Sequence, residues 1–418
     1  MNNETGTVRI TLGAPVVVAR APRELDRAAA GWGRWQFPFI SRLPDGQLQV
    51  RFSIEPDSAE SYGKPIAYAH SSDNGQTWTL GEPRVSHEIE EGVLLPNGDR
   101  LKSVQPESKD ASELDLPASV CNFVCSYGYP RSLYRAEDLP KELTQWRFSR
   151  LPAGTNRWIE EIPVMNIPRE LREVVAEKAQ GAKPGVGGIE QVRNGVLALP
   201  FLYGKIRVAP DQSIWAVTYT WRLFGESPRL APVFLRSVDN GHTWNMISEI
   251  RYQGDQQADP HALTRDGFTE PDYDFMPDGS ILCLMRTMDG HGHGPLYLTR
   301  SVDAGKTWST PVVFDTFGKM PQLLTLGNGV TLASYGASGG PGYFVVRASS
   351  DPSRQIWTDP VKTAVSPSDP GAWDTCGHTE MVALDDHSAL IVNCEFNFPD
   401  ENNIKRKTIL VRKIEVIR

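Results

Sequence analysis

An octet of the form Ser-x-Asp-x-Gly-x-Thr-Trp occurs three times in this chain, at residues 71–78, 237–244 and 301–308. Asp and Gly at this spacing make a tight turn, because the carboxylate accepts backbone N–H bonds and Gly takes a positive φ. The Ser and Thr hydroxyls lock the turn, and the Trp plugs the space between neighbouring sheets. A chain that repeats such a unit is built from copies of one small sheet. A fourth, decayed copy runs from Ser349 through Asp351 to Trp357, and a fifth, weaker still, ends at Trp158.

A second repeat is independent of the first. Leu43-Pro44-Asp45-Gly46, Leu95-Pro96-Asn97-Gly98, Val192-Arg193-Asn194-Gly195, Met276-Pro277-Asp278-Gly279, Leu326-Gly327-Asn328-Gly329 and Leu384-Asp385-Asp386-His387 each sit between two apolar runs. Asn-Gly and Asp-Gly in that setting are strong hairpin signals. Six of them imply six sheets. These map to residues 35–85, a second from residue 90 with later strands at 122–127 and 144–148, then 189–251, 269–314, 320–364, and 379 onward. Residues 8–19 read as a strand that pairs with the last sheet and closes a ring. The second sheet carries an insertion at 103–119. Residues 168–180 (PRELREVVAEKAQ), with Pro first and Gly181 beyond, predict an inserted helix. The expectation is all-β: a six-bladed β-propeller of four-stranded antiparallel sheets, one domain over residues 1–418. Radial closure hides strand edges and aims the inner strands at one axis.

Composition agrees. Of 418 residues, 40% are hydrophobic and 22% charged, as in globular proteins. The 36 Gly and 32 Pro are scattered, which suits many turns. A net charge of −8 argues against a nucleic-acid partner and leaves room for a local basic pocket. Five Cys, an odd number, do not form a disulfide framework, and the Cys121/Cys125 pair has no second pair to make a zinc site. No cofactor or metal is expected. No stretch is apolar enough to span a membrane, and the N-terminus lacks an apolar signal core. The chain as given reads as cytoplasmic, although a trimmed secretory signal would look the same.

Glu270 and Arg286 sit at ends of strands in the fourth sheet, where a carboxylate and a guanidinium can face the axis. His291 and His293 lie in the Gly-rich loop just beyond, and an H-x-H pair alone is a weak metal signal. Asp57 lies in an acidic loop of the first sheet. His378 stands at a strand start, where an adjacent Glu270 would make it an oriented base. Glu190, Glu395 and Tyr335 are further candidates, with Lys319 and Arg34 behind them.

The three octets resemble the Asp-box of the sialidase (neuraminidase) superfamily, and the resemblance extends over nearly the whole chain. It implies three arginines around a sugar carboxylate, a Tyr nucleophile polarised by a Glu, and an Asp acid/base. Position by position, Glu270 resembles the family's Glu, Arg286 its second Arg and Asp57 its Asp. Residues 377–384 resemble the nucleophile segment, and Cys394-Glu395 resembles the Tyr-Glu pair of the next strand. The chain departs at two places: Gln36 stands where the family has its first Arg, and His378 where it has its Tyr. The third Arg has no match. A neutral Gln cannot give the charge-assisted fork that Arg offers a carboxylate.

The resemblance therefore implies an exo-acting carbohydrate-active enzyme, most simply a glycoside hydrolase removing a terminal sugar, acidic or neutral, from an oligosaccharide or glycoconjugate. The expected catalytic residues are Asp57, Glu270, His378 and Glu395. The expected substrate-binding residues are Gln36, Arg286, Glu190, His291, His293 and Tyr335. Two alternatives remain open at this point. One is a polysaccharide lyase acting at a uronate with His378 as base; the other is a non-catalytic glycan-binding propeller.

Overall fold

The computed structural model describes residues 8–23, 33–57, 61–85, 91–126, 128, 130–175, 195–287, 294–337, 342–364 and 374–417. Among these residues the strands form seven sheets. Sheet 1 is Gln36–Arg42, Leu48–Ser53, Ala67–Ser71 and Thr79–Leu80; sheet 2 is Val93–Leu94, Arg100–Ser103, Phe148–Leu151 and Ile159–Glu161. Sheet 3 is Ile206–Val208, Ile214–Phe224, Ser227–Ser237 and Thr243–Glu249, with Val164–Asn166 added in parallel. Sheet 4 is Phe268–Phe275, Ile281–Thr287, Leu296–Ser301 and Val312–Asp315; sheet 5 is Lys319–Thr325, Thr331–Ala337, Tyr343–Ser349 and Val361–Ala364. Sheet 6 is Thr379–Asp385, Ser388–Pro399 and Lys405–Ile417. Both N-terminal strands, Arg9–Leu12 and Val16–Arg20, pair with its last strand, so the two ends of the chain share one sheet.

The seventh sheet is inserted. It joins Cys121–Val124, Pro130–Arg135, Leu171–Val175, Val196–Leu197 and Lys109–Asp110. The sequence reading is corrected here in several ways. Residues 121–124 belong to this insertion rather than to sheet 2. The expected helix at 168–180 is a strand over Leu171–Val175, and residues 176–180 lie outside the described residues. The segment is buried on two faces, Leu171 against Trp221 and Val174 against Leu143, which a strand can satisfy and a surface helix cannot. The α-helix among the described residues is the four-residue Lys141–Thr144. The third correction concerns sheet 3. Its inner hairpin turns at 209–213, where Gln212 N donates to Ala209 O (2.9 Å) with Gln212 at φ 67°. A Gln fills the place usually given to Gly, so the Asn194-Gly195 signal drew attention away from it. Sheets 3 and 6 and the insertion also hold five strands rather than four.

Five apolar clusters join the sheets in chain order: sheet 2 to 3, 3 to 4, 4 to 5, 5 to 6, and 6 back to 1. Ion pairs link sheet 1 to the segments flanking sheet 2, through Arg51–Glu91 (2.8 Å) and Lys64–Glu107 (3.6 Å). Among the described residues no helix is long and apolar enough to cross a membrane.

The octets share one set of bonds. Gly75, Gly241 and Gly305 donate their N–H to Ser71, Ser237 and Ser301 Oγ at 2.9 Å. Thr77, Thr243 and Thr307 donate theirs to Asp73, Asp239 and Asp303 at 2.9 Å. The indole N–H of Trp78 and Trp244 returns to the octet glycine carbonyl. The decayed copy keeps this last bond, Trp357 Nε1 to Arg354 O (2.8 Å), with Arg354 at φ 56°. Each octet glycine abuts the preceding sheet. A Cβ on Gly305, at φ 75°, would stand 2.8 Å from the Trp215 ring of sheet 3. Gly305→Ala should therefore cost about 1–2 kcal/mol, from left-handed strain plus the clash, read as a lower thermal midpoint.

Candidate active site

The inner strands of sheets 1, 4 and 5 begin alike. Phe37, Glu270 and Met320 each have positive φ (56°, 47° and 46°), and each precedes a proline, Pro38, Pro271 and Pro321. At each the ladder slips by a bulge. A bulge re-aims the side chains around it, and three non-Gly residues in this region are a cluster of strain of the kind found at functional sites. In sheet 6, Gly377 at φ 74° precedes His378.

Inner strands of neighbouring sheets do not pair, so their outward N–H groups need other acceptors. Carboxylates of the adjacent sheet supply them. Glu270 accepts from Met320 N (2.8 Å), Asp272 from Leu323 N (2.7 Å) and Asp274 from Thr325 N (2.7 Å). Glu380 of sheet 6 accepts from Ile40 N of sheet 1 (3.2 Å). Cations between the strands compensate these acids. Arg207 meets Asp272 and Asp274 (3.3 and 3.6 Å), Lys205 bridges Asp272 and Glu380 (3.6 and 3.1 Å), and Arg286 binds Glu270 directly. Burial pushes the Glu380 carboxyl up, opposed by Lys205 and Arg51.

Above Glu270 stands an aromatic wall. Tyr219 of sheet 3 and Tyr203, in the segment leading into that sheet, meet edge to face at 4.9 Å; Tyr203 also touches Phe201, whose ring meets Tyr62. The Tyr203 hydroxyl donates to Met320 Sδ (3.4 Å). Burial raises both phenols well above their ordinary value, Tyr203 with help from Tyr219 and Glu270, Tyr219 with help from Glu270; Arg286 pulls both back. Yet Tyr203 keeps 37% of its surface open. Tyr62 is pushed up to about 12 by burial, then by Asp57 and by Glu173 of the inserted sheet. Glu173 is held by Arg131 (2.6 Å) and by the Trp221 indole (3.1 Å).

These contacts place each predicted residue. Glu270 and Arg286 are together. Asp57 is exposed and within electrostatic reach of Tyr62, which lies in the same wall. Gln36 is fully buried; its Oε1 accepts from Gly33 N (3.2 Å), and among the described residues its Nε2 has no hydrogen-bond partner. His378 does not pair with Glu270. It is 1% exposed, set behind Phe39 (ring centroids 4.6 Å) and Phe37 (6.0 Å), and among the described residues neither ring nitrogen has a hydrogen-bond partner. Glu395 turns to Arg412 of its own sheet (3.4 Å). Tyr335 does not reach the centre: it is buried in the core between sheets 4 and 5, its hydroxyl donating to Asp315 (2.5 Å) and accepting from Arg347 (3.0 Å). Glu190, His291 and His293 lie outside the described residues. Among the described residues no group of three or more His, Cys, Asp or Glu could hold a metal ion. A separate recess on sheet 1, lined by Gln49, Tyr68, His70 and Arg84, shares no side chain with this assembly.

Sequence reasoning missed Tyr203, Tyr219, Lys205, Arg207, Asp272 and Glu380. The x-x-Pro repeat at Gln36, Thr269 and Lys319 was the available signal for the inner strands of sheets 1, 4 and 5. Nothing comparable marked sheet 3.

Burial, then the charges of Arg51 and Lys205, push His378 down to about 3. An unfolded His takes its proton near pH 6.5, and this one does not until far lower. The unfolded state thus binds more protons between those values, and stability falls as pH drops through that window. The slope attributable to His378 should approach ~1.4 kcal/mol per pH unit. Comparing wild type with His378→Phe in urea from pH 7 to pH 4 isolates it, since carboxylate contributions are common to both.

No protein-family model matches the chain, and comparison with curated proteins gives no match. Among solved structures, a protein of unknown function from Dyadobacter fermentans DSM 18053 is similar with TM-score 0.65 and 18% identity, over 98% of this chain and 99% of that one. That likeness shows a common fold. An alpha-L-arabinanase of Penicillium chrysogenum complexed with arabinobiose (TM-score 0.45, 15% identity, 96% and 98% covered) is a weaker likeness. So is the intramolecular trans-sialidase from Ruminococcus gnavus in complex with oseltamivir carboxylate (0.45, 13%, 96% and 97%).

Proposed function

We propose that the chain is a glycoside hydrolase removing a terminal acidic sugar, built as a single closed propeller of six sheets with its site on the axis. One observation carries this reading: Tyr219 of sheet 3 and Tyr203, just ahead of that sheet, stack edge to face within electrostatic reach of the Glu270–Arg286 pair of sheet 4, and Tyr203 touches Met320, whose N–H Glu270 accepts. A Tyr next to a Glu is a way to make a nucleophile whose attack on an anionic sugar is not repelled by its own charge. Glu270 accepts the Tyr219 phenol proton as the oxygen attacks the anomeric carbon. Asp57, the exposed carboxyl across the wall, protonates the leaving oxygen and later activates water. Arg286 and Lys205 hold the sugar carboxylate. Tyr203, Tyr62 and Phe201 stack on the apolar face of the ring.

Elimination at a uronate is the weaker reading, because its base would be His378, which lies closed off behind Phe39. Incubation with sialosides and uronides, followed by mass spectrometry, separates the two. Hydrolysis adds one water across the cleaved bond; elimination adds none and leaves an ultraviolet-absorbing double bond. Binding without any product would remove the enzymatic reading altogether.

A further inference from the structure

Cys376 and Cys394 lie 18 residues apart in sequence, yet their sulfurs are 2.9 Å apart in the core between sheets 6 and 1. A disulfide needs about 2.05 Å, so closure requires less than an ångström of movement. One main-chain bond and one from a Thr hydroxyl join the two segments, and a third bond fixes that hydroxyl. Phe396 N donates to Asp374 O (2.8 Å), Thr375 Oγ1 donates to Cys394 O (2.7 Å), and Gly377 N donates to Thr375 Oγ1 (3.1 Å). A cation is at hand: Lys407, on the neighbouring strand, lies over the Phe396 ring at 3.8 Å and donates to Arg34 O.

We infer that Cys376 and Cys394 are a reversible disulfide site, which staples the segment carrying His378 onto the strand Ser388–Pro399. Two different thiols suit the chemistry. Burial pushes the Cys376 thiol well up. Burial acts likewise on Cys394, but the hydrogen bond from Cys376 and the Lys407 charge outweigh it and hold that thiol below its ordinary value. Cys394 is therefore the attacking sulfur and Cys376 the resolving one. With hydrogen peroxide as oxidant, the Cys394 thiolate attacks one peroxide oxygen and the O–O bond breaks, leaving a sulfenic acid and hydroxide. Hydroxide takes the Cys376 proton and becomes water. The Cys376 thiolate then attacks the sulfenic sulfur, and a second hydroxide leaves and is protonated by solvent. Two thiols and one peroxide give one disulfide and two waters. Peroxide is close to water in size, which suits a site closed to larger oxidants. The inference does not depend on the reaction proposed above.

The test is to treat the native full-length protein with hydrogen peroxide, denature it, alkylate it with iodoacetamide and map the peptides. Reduced protein should take label on all five cysteines, and oxidised protein on Cys121, Cys125 and Cys283 only, with a peptide joining 376 to 394 that dithiothreitol releases. The oxidised form should melt several degrees higher. Cys121→Ser/Cys125→Ser should keep the cross-link, and Cys376→Ser should lose it and leave Cys394 reactive with dimedone. Full labelling after peroxide would overturn the inference. So would a cross-link through another cysteine, or sulfinic acid on Cys394 with Cys376 still labelled. The wild-type map decides the matter even if a variant fails to fold.

Discussion

Replacing Arg286 with Met should destabilise the protein by about 3–5 kcal/mol, read as a shift of the urea midpoint. Arg286 and Glu270 are both about nine-tenths buried, and Glu270 has one other bonded donor, Met320 N. Without the guanidinium, a carboxylate is left in a site where hydration is poor, with no paired cation. The cost should be specific to the charge. Glu270→Gln added to Arg286→Met should restore most of the loss, because an amide oxygen still accepts from Met320 N and nothing charged remains uncompensated. Restoration by that second change separates a buried ion pair from simple loss of packing. If Arg286→Met alone lies within 1 kcal/mol of wild type, the pair is solvated and the description of the central site is wrong.

The second large effect is on turnover. Tyr219→Phe should lower kcat by 10²-fold or more, the ordinary scale for losing a positioned proton donor or acceptor, with KM little changed. The ring remains to pack against Tyr203, so the fold should hold. Tyr203→Phe should be milder, since that hydroxyl is already engaged by Met320 Sδ. Lys205→Met should act differently from either, by raising KM for an acidic sugar, because Lys205 is the partly open cation that spans Asp272 and Glu380. Equal kcat for Tyr219→Phe and wild type would remove Tyr219 from the chemistry.

Much of the architecture was legible because turns write themselves into sequence. Asp73, Asp239 and Asp303 serve the same bonds in three sheets, and Gly75, Gly241 and Gly305 take positive φ two residues later, so the same letters recur. The turns at Gly46, Gly98, Gly279 and Gly329 close with the same bond to the residue three before. Where another residue takes the strained place, as Gln212 and Arg354 do, the letters no longer show it. The insertion was misread for a different reason. Leu171–Val175 carries helix-forming residues, and tertiary pairing with Pro130–Arg135 overrides their local preference.

The site was only half legible. Glu270 and Arg286 follow from their places at the ends of two neighbouring strands. Their neighbours do not, because Tyr203 and Tyr219 come from sheet 3 and the segment leading into it, and nothing local in the chain marks which strands face each other. His378 shows the converse. Its place at a strand start suggested a base, but the rings of Phe37 and Phe39, more than 300 residues away in sequence, close it off. Tyr335 likewise looked available and is spoken for by Asp315 and Arg347.

The central claim is that sheets 3 and 4 together hold a site for hydrolysing an acidic sugar. The most direct test is turnover of matched oligosaccharides, with acidic and neutral terminal sugars, by wild type, Glu270→Gln and Tyr219→Phe, with products identified by mass. The account predicts release of the acidic sugar alone, with one water added, by wild type and not by either variant. Release of neutral sugars at the same rate, undiminished turnover in both variants, or no product from any substrate would contradict it.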